Sequence, residues 1–416
     1  MIPKIKIYDD KYGNPKFSFV AIIVLTGSVF ENQEEKGISH FLEHLIFKGS
    51  KYSKNIKDLN NKLNGNGMIV NAFTSPFITC YHMSCPTIYI KNAINTLVQM
   101  VFNPLLRESD IENERLVVIN ELMQRQSTPE EMAQLKAQQL IYGKNNPLHH
   151  PVIGYIDVLK DMDREKILSY YHRFYSVSNC IFFTFTGKDR KVVKNFWENA
   201  YKNYGSERNE DNTFNTFKIF KNLKPKLKLI NKGGTFHISN HFPNNNTIFV
   251  IITYIFKKCT DKQEAALVIF STYLAGGLSS KLFTEMRDKK QLIYSVHSFV
   301  EKNIDSVSLN IQFSCKKDKK IYNDCVQTIT KVINNFKKNG MEKEEFKKFK
   351  NKTLINYDRM STSGMVKMNE LVDKHLFGID KSDFRRNVKS LSLSYLNNNL
   401  GELLRDRGMK KFVFTI

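Results

Sequence analysis

The chain has 416 residues, 41% of them hydrophobic and 12% aromatic, which is enough for two domains of about 200 residues with separate cores. Its formal net charge of +22 is compatible with a nucleic-acid-binding protein. The sequence, however, has no zinc-finger spacing, no aromatic RNA-binding signature and no single basic arm. Basic runs interspersed with acidic residues are typical of solvated surfaces, so the sequence predicts no nucleic-acid partner.

The first predicted element is a strand within the apolar stretch 17–30. This stretch is rich in β-branched residues, is interrupted by Thr26, Gly27 and Ser28, and is too short to cross a membrane. The residues before it lack the contiguous apolar segment of a secretory signal. Six scattered cysteines without a C-x-x-C pair favour free thiols in a reducing compartment. The sequence therefore predicts no membrane partner and a cytoplasmic location.

The next element is a predicted helix around residues 40–44, which read H-x-x-E-H. Apolar residues recur there at helical spacing: Ile38, Phe41, Leu42, Leu45 and Ile46. His40, Glu43 and His44 fall on the other side of the helix. Two imidazoles four residues apart can hold one metal ion, and the neighbouring carboxylate can accept a proton from an attacking water. Gly49 predicts the end of this helix.

A third ligand is expected, because catalytic zinc usually has three protein ligands. The segment 109–126 predicts a second helix, with Ser109 and Glu112 spaced as in a capping box. Within it, Glu114 and Glu121 are seven residues apart and therefore share one helix face. The alternative interpretation is that both are ordinary solvated helix carboxylates.

The polar run 205–217 predicts a linker between two halves of the chain, 1–204 and 218–416. After it, the order of elements repeats in outline, with a predicted strand at 247–256 and a predicted helix at about 262–274. No second H-x-x-E-H follows. The sequence thus predicts two halves, of which one carries the metal motif.

Together these features resemble the pitrilysin/insulinase superfamily of zinc peptidases, in particular the smaller members similar to the mitochondrial processing peptidase β subunit. The resemblance extends from about residue 20 to the C-terminus and includes Asn71-Ala72-Phe73-Thr74, Ile153-Gly154, and the segments 174–179, 277–283, 285–287 and 292–296. The family often has a glutamate where Phe77 stands, so contacts with a substrate are expected to differ there.

The resemblance implies a role for each residue of the motif. It implies that His40, His44 and Glu121 bind one Zn²⁺ per chain. It implies that Glu43 is the general base and that Glu114 orients a ligand from outside the metal shell. It also implies an α+β fold of two structurally related α/β-sandwich halves. Each half would be a mostly antiparallel sheet covered by helices, and the halves would face each other like a clam shell.

The resemblance further implies a substrate site made from both halves. The substrate-binding strand would be formed by Asn71, Ala72, Phe73 and Thr74. Arg287 would anchor the substrate, and Tyr294 would stabilise the developing oxyanion. Neither half alone is then expected to be active.

The sequence therefore predicts a zinc-dependent endopeptidase that hydrolyses peptide bonds in extended peptides or unfolded segments. One alternative is a non-catalytic or partner-dependent subunit of a processing-peptidase-like complex, although such subunits usually lose the metal motif that is present here. The other is a nucleic-acid-binding protein, for which salt-dependent retention on DNA or RNA would be diagnostic. A homodimer, or a heterodimer with a related chain, is a further expectation.

Overall fold

The computed structural model describes residues 5–9, 16–205, 216–223, 234–237, 246–257, 259–302, 306–405 and 410–415. The chain divides into two compact units. The first unit comprises Met1–Gln124, Lys144–Leu227 and Ser361–Gly378, and the second comprises Arg125–Gly143, Lys228–Met360 and Ile379–Ile416. Most of the predicted linker 205–217 lies outside the described residues, so the division of the chain into 1–204 and 218–416 stays a prediction.

Ten strands and seventeen helices are found in the described part of the chain. The strands are β1 (Ile5–Asp9), β2 (Phe17–Val24), β3 (Ile69–Thr74), β4 (Thr79–Pro86), β5 (Cys180–Thr186), β6 (Gly234–His237), β7 (Thr247–Phe256), β8 (Ile293–Lys302), β9 (Val307–Lys316) and β10 (Lys410–Thr415). The first helices are α1 (Ile38–Ile46), α2 (Ile56–Asn64), α3 (Ile90–Phe102), α4 (Glu108–Gln126), α5 (Pro129–Tyr142), α6 (Ile156–Lys160), α7 (Arg164–Phe174), α8 (Arg190–Tyr204) and α9 (Thr216–Leu223).

The remaining helices are α10 (Asp261–Ala275), α11 (Lys281–Phe283), α12 (Lys319–Asn339), α13 (Lys343–Ser361), α14 (Gly364–Val372), α15 (Phe384–Ser390), α16 (Leu393–Tyr395) and α17 (Gly401–Leu403). Short 3₁₀ turns span Ser28–Phe30, Gln33–Glu35, Thr87–Tyr89, Pro147–His149 and Val177–Asn179. π-helical turns span Thr284–Lys289, Asp373–Phe377 and Leu396–Leu400.

The first unit contains a five-stranded sheet in the order β1-β5-β2-β4-β3. The outer pair β1–β5 is parallel, and the other pairs are antiparallel. In register, Ile22 lies between Phe182 of β5 and Tyr81 of β4, and Tyr81 pairs with Ala72 of β3. Strand β3 is therefore an edge strand of this sheet.

Strand β2 is buried on both of its faces, which is why the sequence shows it as a continuous apolar run rather than an alternating one. Val20 and Ile22 belong to the main core, to which α1, α3 and α8 also contribute. Phe19, Ala21 and Ile23 face the other way and pack against a smaller cluster that includes residues of α14. The sheet is thus covered on both sides, and α1 packs on the larger core.

The second unit repeats this topology. Its sheet has the order β6-β10-β7-β9-β8, with a parallel outer pair β6–β10 and antiparallel pairs elsewhere. Position for position, the strand order and directions are those of the first sheet. The predicted α+β fold with two structurally related halves is confirmed.

Each unit includes a helix from the other half of the chain. Helix α5 belongs to the second unit, where Ala133 and Ala137 pack with Ile251 and Ile255 of β7. Helix α14 belongs to the first unit, where Met368 packs on the face of β2 described above. Each unit is therefore built from several separate segments of the chain.

Several predicted elements are confirmed, and two helix boundaries differ. The predicted strands are β2 and β7, the apolar stripe of α1 is buried, and the helix predicted at about 262–274 is α10. Helix α1 ends at Ile46 rather than near Gly49, because the Phe47 and Lys48 N–H groups already make tightened i→i−3 bonds. Helix α4 begins at Glu108, one residue before the predicted start.

All six cysteines are free thiols, which agrees with the sequence interpretation, and five of them are buried. Among the described helices, none combines the length and the apolar character needed to cross a bilayer.

Candidate active site

Helix α1 is preceded by a glycine at its N-cap and is capped from outside by a buried carboxylate. Gly37 has φ +100°, and a Cβ there would lie 2.6 Å from the Ile153 carbonyl oxygen, so only glycine fits. The Glu31 carboxylate accepts hydrogen bonds from the Gly37 and Ser39 N–H groups, each at 2.9 Å. Burial raises the pKa of the Glu31 carboxyl, while these bonds counteract the rise. Glu31 thus provides the cap that Gly37, having no side chain, does not.

The two histidines of α1 converge on a carboxylate of α4. The ring centroids of His40 and His44 are 4.7 Å apart. The Nε2 atom of His40 lies 3.8 Å from Glu121 Oε1, and the Nε2 atom of His44 lies 3.5 Å from Glu121 Oε2. His40, His44 and Glu121 each offer one potential ligand atom, and these three atoms lie within 4.8 Å of one another. Two imidazole nitrogens and a carboxylate oxygen form a donor set suited to a divalent transition metal.

The orientation of His44 is set by Glu114. Glu114 is buried, and its Oε1 lies 2.8 Å from His44 Nδ1. Because an ionised carboxylate can only accept, Nδ1 donates to Glu114, and the Nε2 atom is directed toward Glu121. Lys48, one helical turn after His44, forms an ion pair with the other oxygen of Glu114.

Charge around His44 explains its protonation behaviour. Burial by itself would lower the pKa of His44, but the hydrogen bond to Glu114 and the charges of Glu114, Glu43 and Glu121 outweigh burial and raise it. For Glu114, burial alone would raise the pKa, but the bonds from His44 and Lys48 prevail and lower it. The Glu114 carboxylate therefore stays ionised as an acceptor.

Glu43 lies one residue before His44, and its carboxylate is held by an adjacent strand. The Thr74 hydroxyl, at the end of β3, donates to Glu43 Oε2 at 2.6 Å. Glu43 is buried, whereas a glutamate in an ordinary environment is exposed and ionised at neutral pH. A buried carboxylate beside two candidate ligands is suitably placed for proton transfer.

The predicted substrate-binding residues Asn71, Ala72, Phe73 and Thr74 occupy β3, the edge of the first sheet. The carboxamide oxygen of Asn71 accepts a hydrogen bond from the Ala72 N–H at 2.8 Å, which satisfies a main-chain donor of the edge strand. Phe77, just beyond β3, packs edge-on against Phe377 with ring centroids 4.8 Å apart. In the described part of the chain, no strand other than β4 pairs with β3.

The structure brings Arg287 and Tyr294 together in the second unit. The Arg287 guanidinium lies over the Tyr294 ring at 4.8 Å, and its Nη1 donates to the Tyr294 carbonyl oxygen at 2.9 Å. Arg287 belongs to the π-helical turn Thr284–Lys289, and Tyr294 lies in β8 next to a bulge. The Tyr294 side chain is 81% exposed, so it is not a packing residue of this unit.

Sequence reasoning missed three contributors to the site, namely Glu31, Lys48 and the hydrogen bond of Thr74 to Glu43. Lys48 could have been found from its spacing, since it is four residues after His44 on the same helical path. A weaker signal for Glu31 is that the N-cap residue of α1 is Gly37, which has no capping side chain. The contact of Thr74 with Glu43 has no signal in local spacing.

Comparison with known proteins gives matches over most of the chain. Residues 10–154 match the family model described as insulinase (peptidase family M16), and residues 161–353 match the model of the peptidase M16 inactive domain. An uncharacterized zinc protease of Bacillus subtilis, YmxG, is 26% identical over 81% of this chain and 78% of its own length. An uncharacterized zinc protease of Rickettsia felis is 27% identical over 77% of this chain and 74% of its own.

Two solved structures are similar in fold. A protease from Helicobacter pylori has a TM-score of 0.80 at 20% identity and covers 99% of this chain and 96% of its own. A peptidase M16 inactive domain from Pseudomonas fluorescens has a TM-score of 0.78 at 14% identity and covers 100% of this chain and 95% of its own.

The contact of Glu114 with His44 predicts an effect on metal affinity. Glu114→Ala is expected to weaken the binding of a divalent metal ion by about 10- to 100-fold, because the His44 imidazole loses the partner that fixes its tautomer and orientation. Glu112→Ala is the matched control, because Glu112 is on the same helix but pairs with Arg115. Competition with a chromophoric chelator measures both affinities. Equal affinity in the two variants would show that Glu114 does not orient the ligand.

Proposed function

The chain belongs to the insulinase family, peptidase family M16, and we propose that it is a zinc-dependent endopeptidase acting on extended peptides or unfolded segments. The observation that carries the proposal is the convergence of His40, His44 and Glu121 beside the Glu43 carboxylate. Three candidate ligands with an adjacent base are the arrangement that metal-assisted peptide hydrolysis requires. The relatives named above as zinc proteases support zinc as the metal.

In this proposal, the Nε2 atoms of His40 and His44 and a Glu121 oxygen would hold one Zn²⁺ per chain. Zinc, when bound, supplies a Lewis acid at the scissile carbonyl. The fit is supported by Glu114, which keeps the His44 Nδ1–H engaged so that Nε2 can act as a donor to the metal. The carboxylates nearby also favour a cation at this position.

Glu43 is proposed as the general base and acid. Its carboxylate takes a proton from the attacking water and later passes that proton to the leaving amine. Its position on α1, between His40 and His44, supports the assignment because the reacting atoms must lie close to both the metal and the base. The buried setting keeps bulk water from competing for the proton.

The substrate is proposed to add as a strand along β3 at Asn71, Ala72, Phe73 and Thr74. An edge strand offers main-chain donors and acceptors, so binding of this kind depends little on side-chain sequence. Arg287 and Tyr294 are proposed to contact the substrate from the second unit, Arg287 as an anchor and Tyr294 as a donor to the oxyanion. The high exposure of Tyr294 supports a role outside the core of its own unit.

The first prediction of the proposed function separates the base from a ligand. Glu43→Gln is expected to abolish hydrolysis of a quenched peptide and to keep zinc bound, whereas Glu121→Gln is expected to weaken zinc binding. Elemental analysis and the peptide assay, with and without chelator, measure the two effects. Equal zinc loss in both variants would contradict the assignment. Zinc binding without any hydrolysis by the unaltered chain would favour a non-catalytic or partner-dependent subunit.

A second prediction concerns Tyr294. Tyr294→Phe removes only the hydroxyl and keeps the ring on which Arg287 stacks. Turnover is expected to fall by roughly 10²–10³, because one oxyanion donor is lost. The melting temperature should not change, since the side chain is exposed. An unchanged kcat, measured beside the melting curve, would exclude the proposed donor role.

A third prediction concerns the form of the substrate. A compact folded protein has already paired its main-chain groups, so it cannot add to β3 as a strand. We expect one small protein to be cleaved when irreversibly unfolded and to be spared when native, at equal concentration. The native sample is checked by circular dichroism during the assay. Equal cleavage of both forms would refute the strand-addition proposal.

A further inference from the structure

The hydroxyl of Thr74 has a role that a substrate-binding strand does not require. It donates to Glu43 Oε2 at 2.6 Å, a length typical of a hydrogen bond from a hydroxyl to a carboxylate. Thr74 and Glu43 are far apart in sequence and belong to different elements, β3 and α1. The edge strand at which a peptide is proposed to add therefore also touches the proposed base.

Thr74 is held rigidly enough to set the position of another group. Its main chain pairs with Thr79 of β4, and directly after it the Ser75 N–H donates to the Ile78 carbonyl oxygen at 2.8 Å. The turn is closed further by the Ser75 hydroxyl, which accepts from the Ile78 N–H at 3.1 Å. The side chain of Thr74 is β-branched and therefore restricted at χ1. Its hydroxyl can thus be held in place at a small cost in conformational entropy.

Glutamate, in contrast, has a long side chain whose carboxylate direction is set by its partners. A carboxylate has about four acceptor sites, so one bond from Thr74 fixes its orientation and leaves acceptor capacity for a proton. Loss of that bond removes one restraint on the direction of the carboxylate, and efficient proton transfer depends on that direction.

We propose that Thr74 is a positioning residue that aligns the Glu43 carboxylate through its hydroxyl, in addition to contributing main-chain groups to the substrate strand. The inference rests on the proposed function, because it assigns Thr74 to the general base of that reaction. It separates two properties of one residue. The main chain of Thr74 serves binding, and the hydroxyl serves turnover.

The test compares Thr74→Val, Thr74→Ser and a control in zinc-loaded protein with a quenched peptide. Valine keeps the shape and the main chain but removes the hydroxyl. We expect kcat to fall by about 10- to 100-fold, the range for losing a hydrogen bond to a charged group, with KM and zinc content unchanged. Serine keeps the hydroxyl and should restore most of the turnover.

Thr79→Val is the matched control, because it removes a buried hydroxyl from the neighbouring strand whose hydrogen bond goes to the Thr26 carbonyl oxygen. It should lower the melting temperature and leave kcat near that of the unaltered protein. If Thr74→Val raises KM at constant kcat, or leaves both unchanged, the inference is overturned. It is also overturned if Thr74→Ser is as slow as Thr74→Val, or if Thr79→Val lowers kcat equally.

Failure of the inference differs from failure of the proposed function. If the unaltered, zinc-loaded protein does not hydrolyse any peptide in a chelator-sensitive manner, the proposed function fails and the role of Thr74 fails with it. If the unaltered protein is active and Glu43→Gln is inactive while Thr74→Val is fully active, only the role of Thr74 fails.

Discussion

The site depends on how four carboxylates are stabilised around one nine-residue helix. Burying an ionised carboxylate is unfavourable unless hydrogen bonds or charges compensate for the lost water. At α1 each compensation is different: Glu31 caps the helix N-terminus, Glu114 is held by His44 and Lys48, and Glu43 accepts from a threonine hydroxyl. Glu121 instead faces the two Nε2 atoms. The position between Glu121 and the imidazoles therefore favours a positive charge, which is the electrostatic basis of a metal site.

The two units share one topology, but only the first unit has the candidate metal ligands among its described residues. Their sheets have the same strand order and directions, and each has a helix after its third strand in spatial order, α1 after β2 and α10 after β7. In α10, the buried residues near the centre of the helix are apolar: Leu267, Ile269 and Phe270. Among the described residues, a cluster of metal-competent side chains is found only at His40, His44 and Glu121. The fold supplies a frame, and function depends on which side chains occupy it.

Local pattern in the sequence was sufficient for the elements that were predicted, whereas the choice of Glu121 as the third ligand came from the family resemblance. The stripe along α1, the spacing of Glu114 and Glu121, and the runs that form β7 and α10 are all periodic signals within a single element. The contacts of Glu31 are with Gly37 and Ser39, which are near in sequence, but they follow no helical or strand period. The contact of Thr74 with Glu43 could not be predicted in this way, because it joins two different elements, β3 and α1, that are far apart in sequence. The same applies to α5 and α14, whose packing partners lie in the other half of the chain.

The position of Phe77 shows how packing can limit the recognition of a substrate. Where the family often has a glutamate, this chain has an aromatic ring that packs against Phe377 and Phe220, with centroids 4.8 and 6.0 Å away. A ring held by two others is part of the first unit's own packing and carries no charge to offer a peptide. Recognition beside β3 would then depend, under the proposed function, on main-chain pairing rather than on a charged side chain at this position. Under the proposed function, such a site would select substrates by their ability to become extended, and less by their sequence.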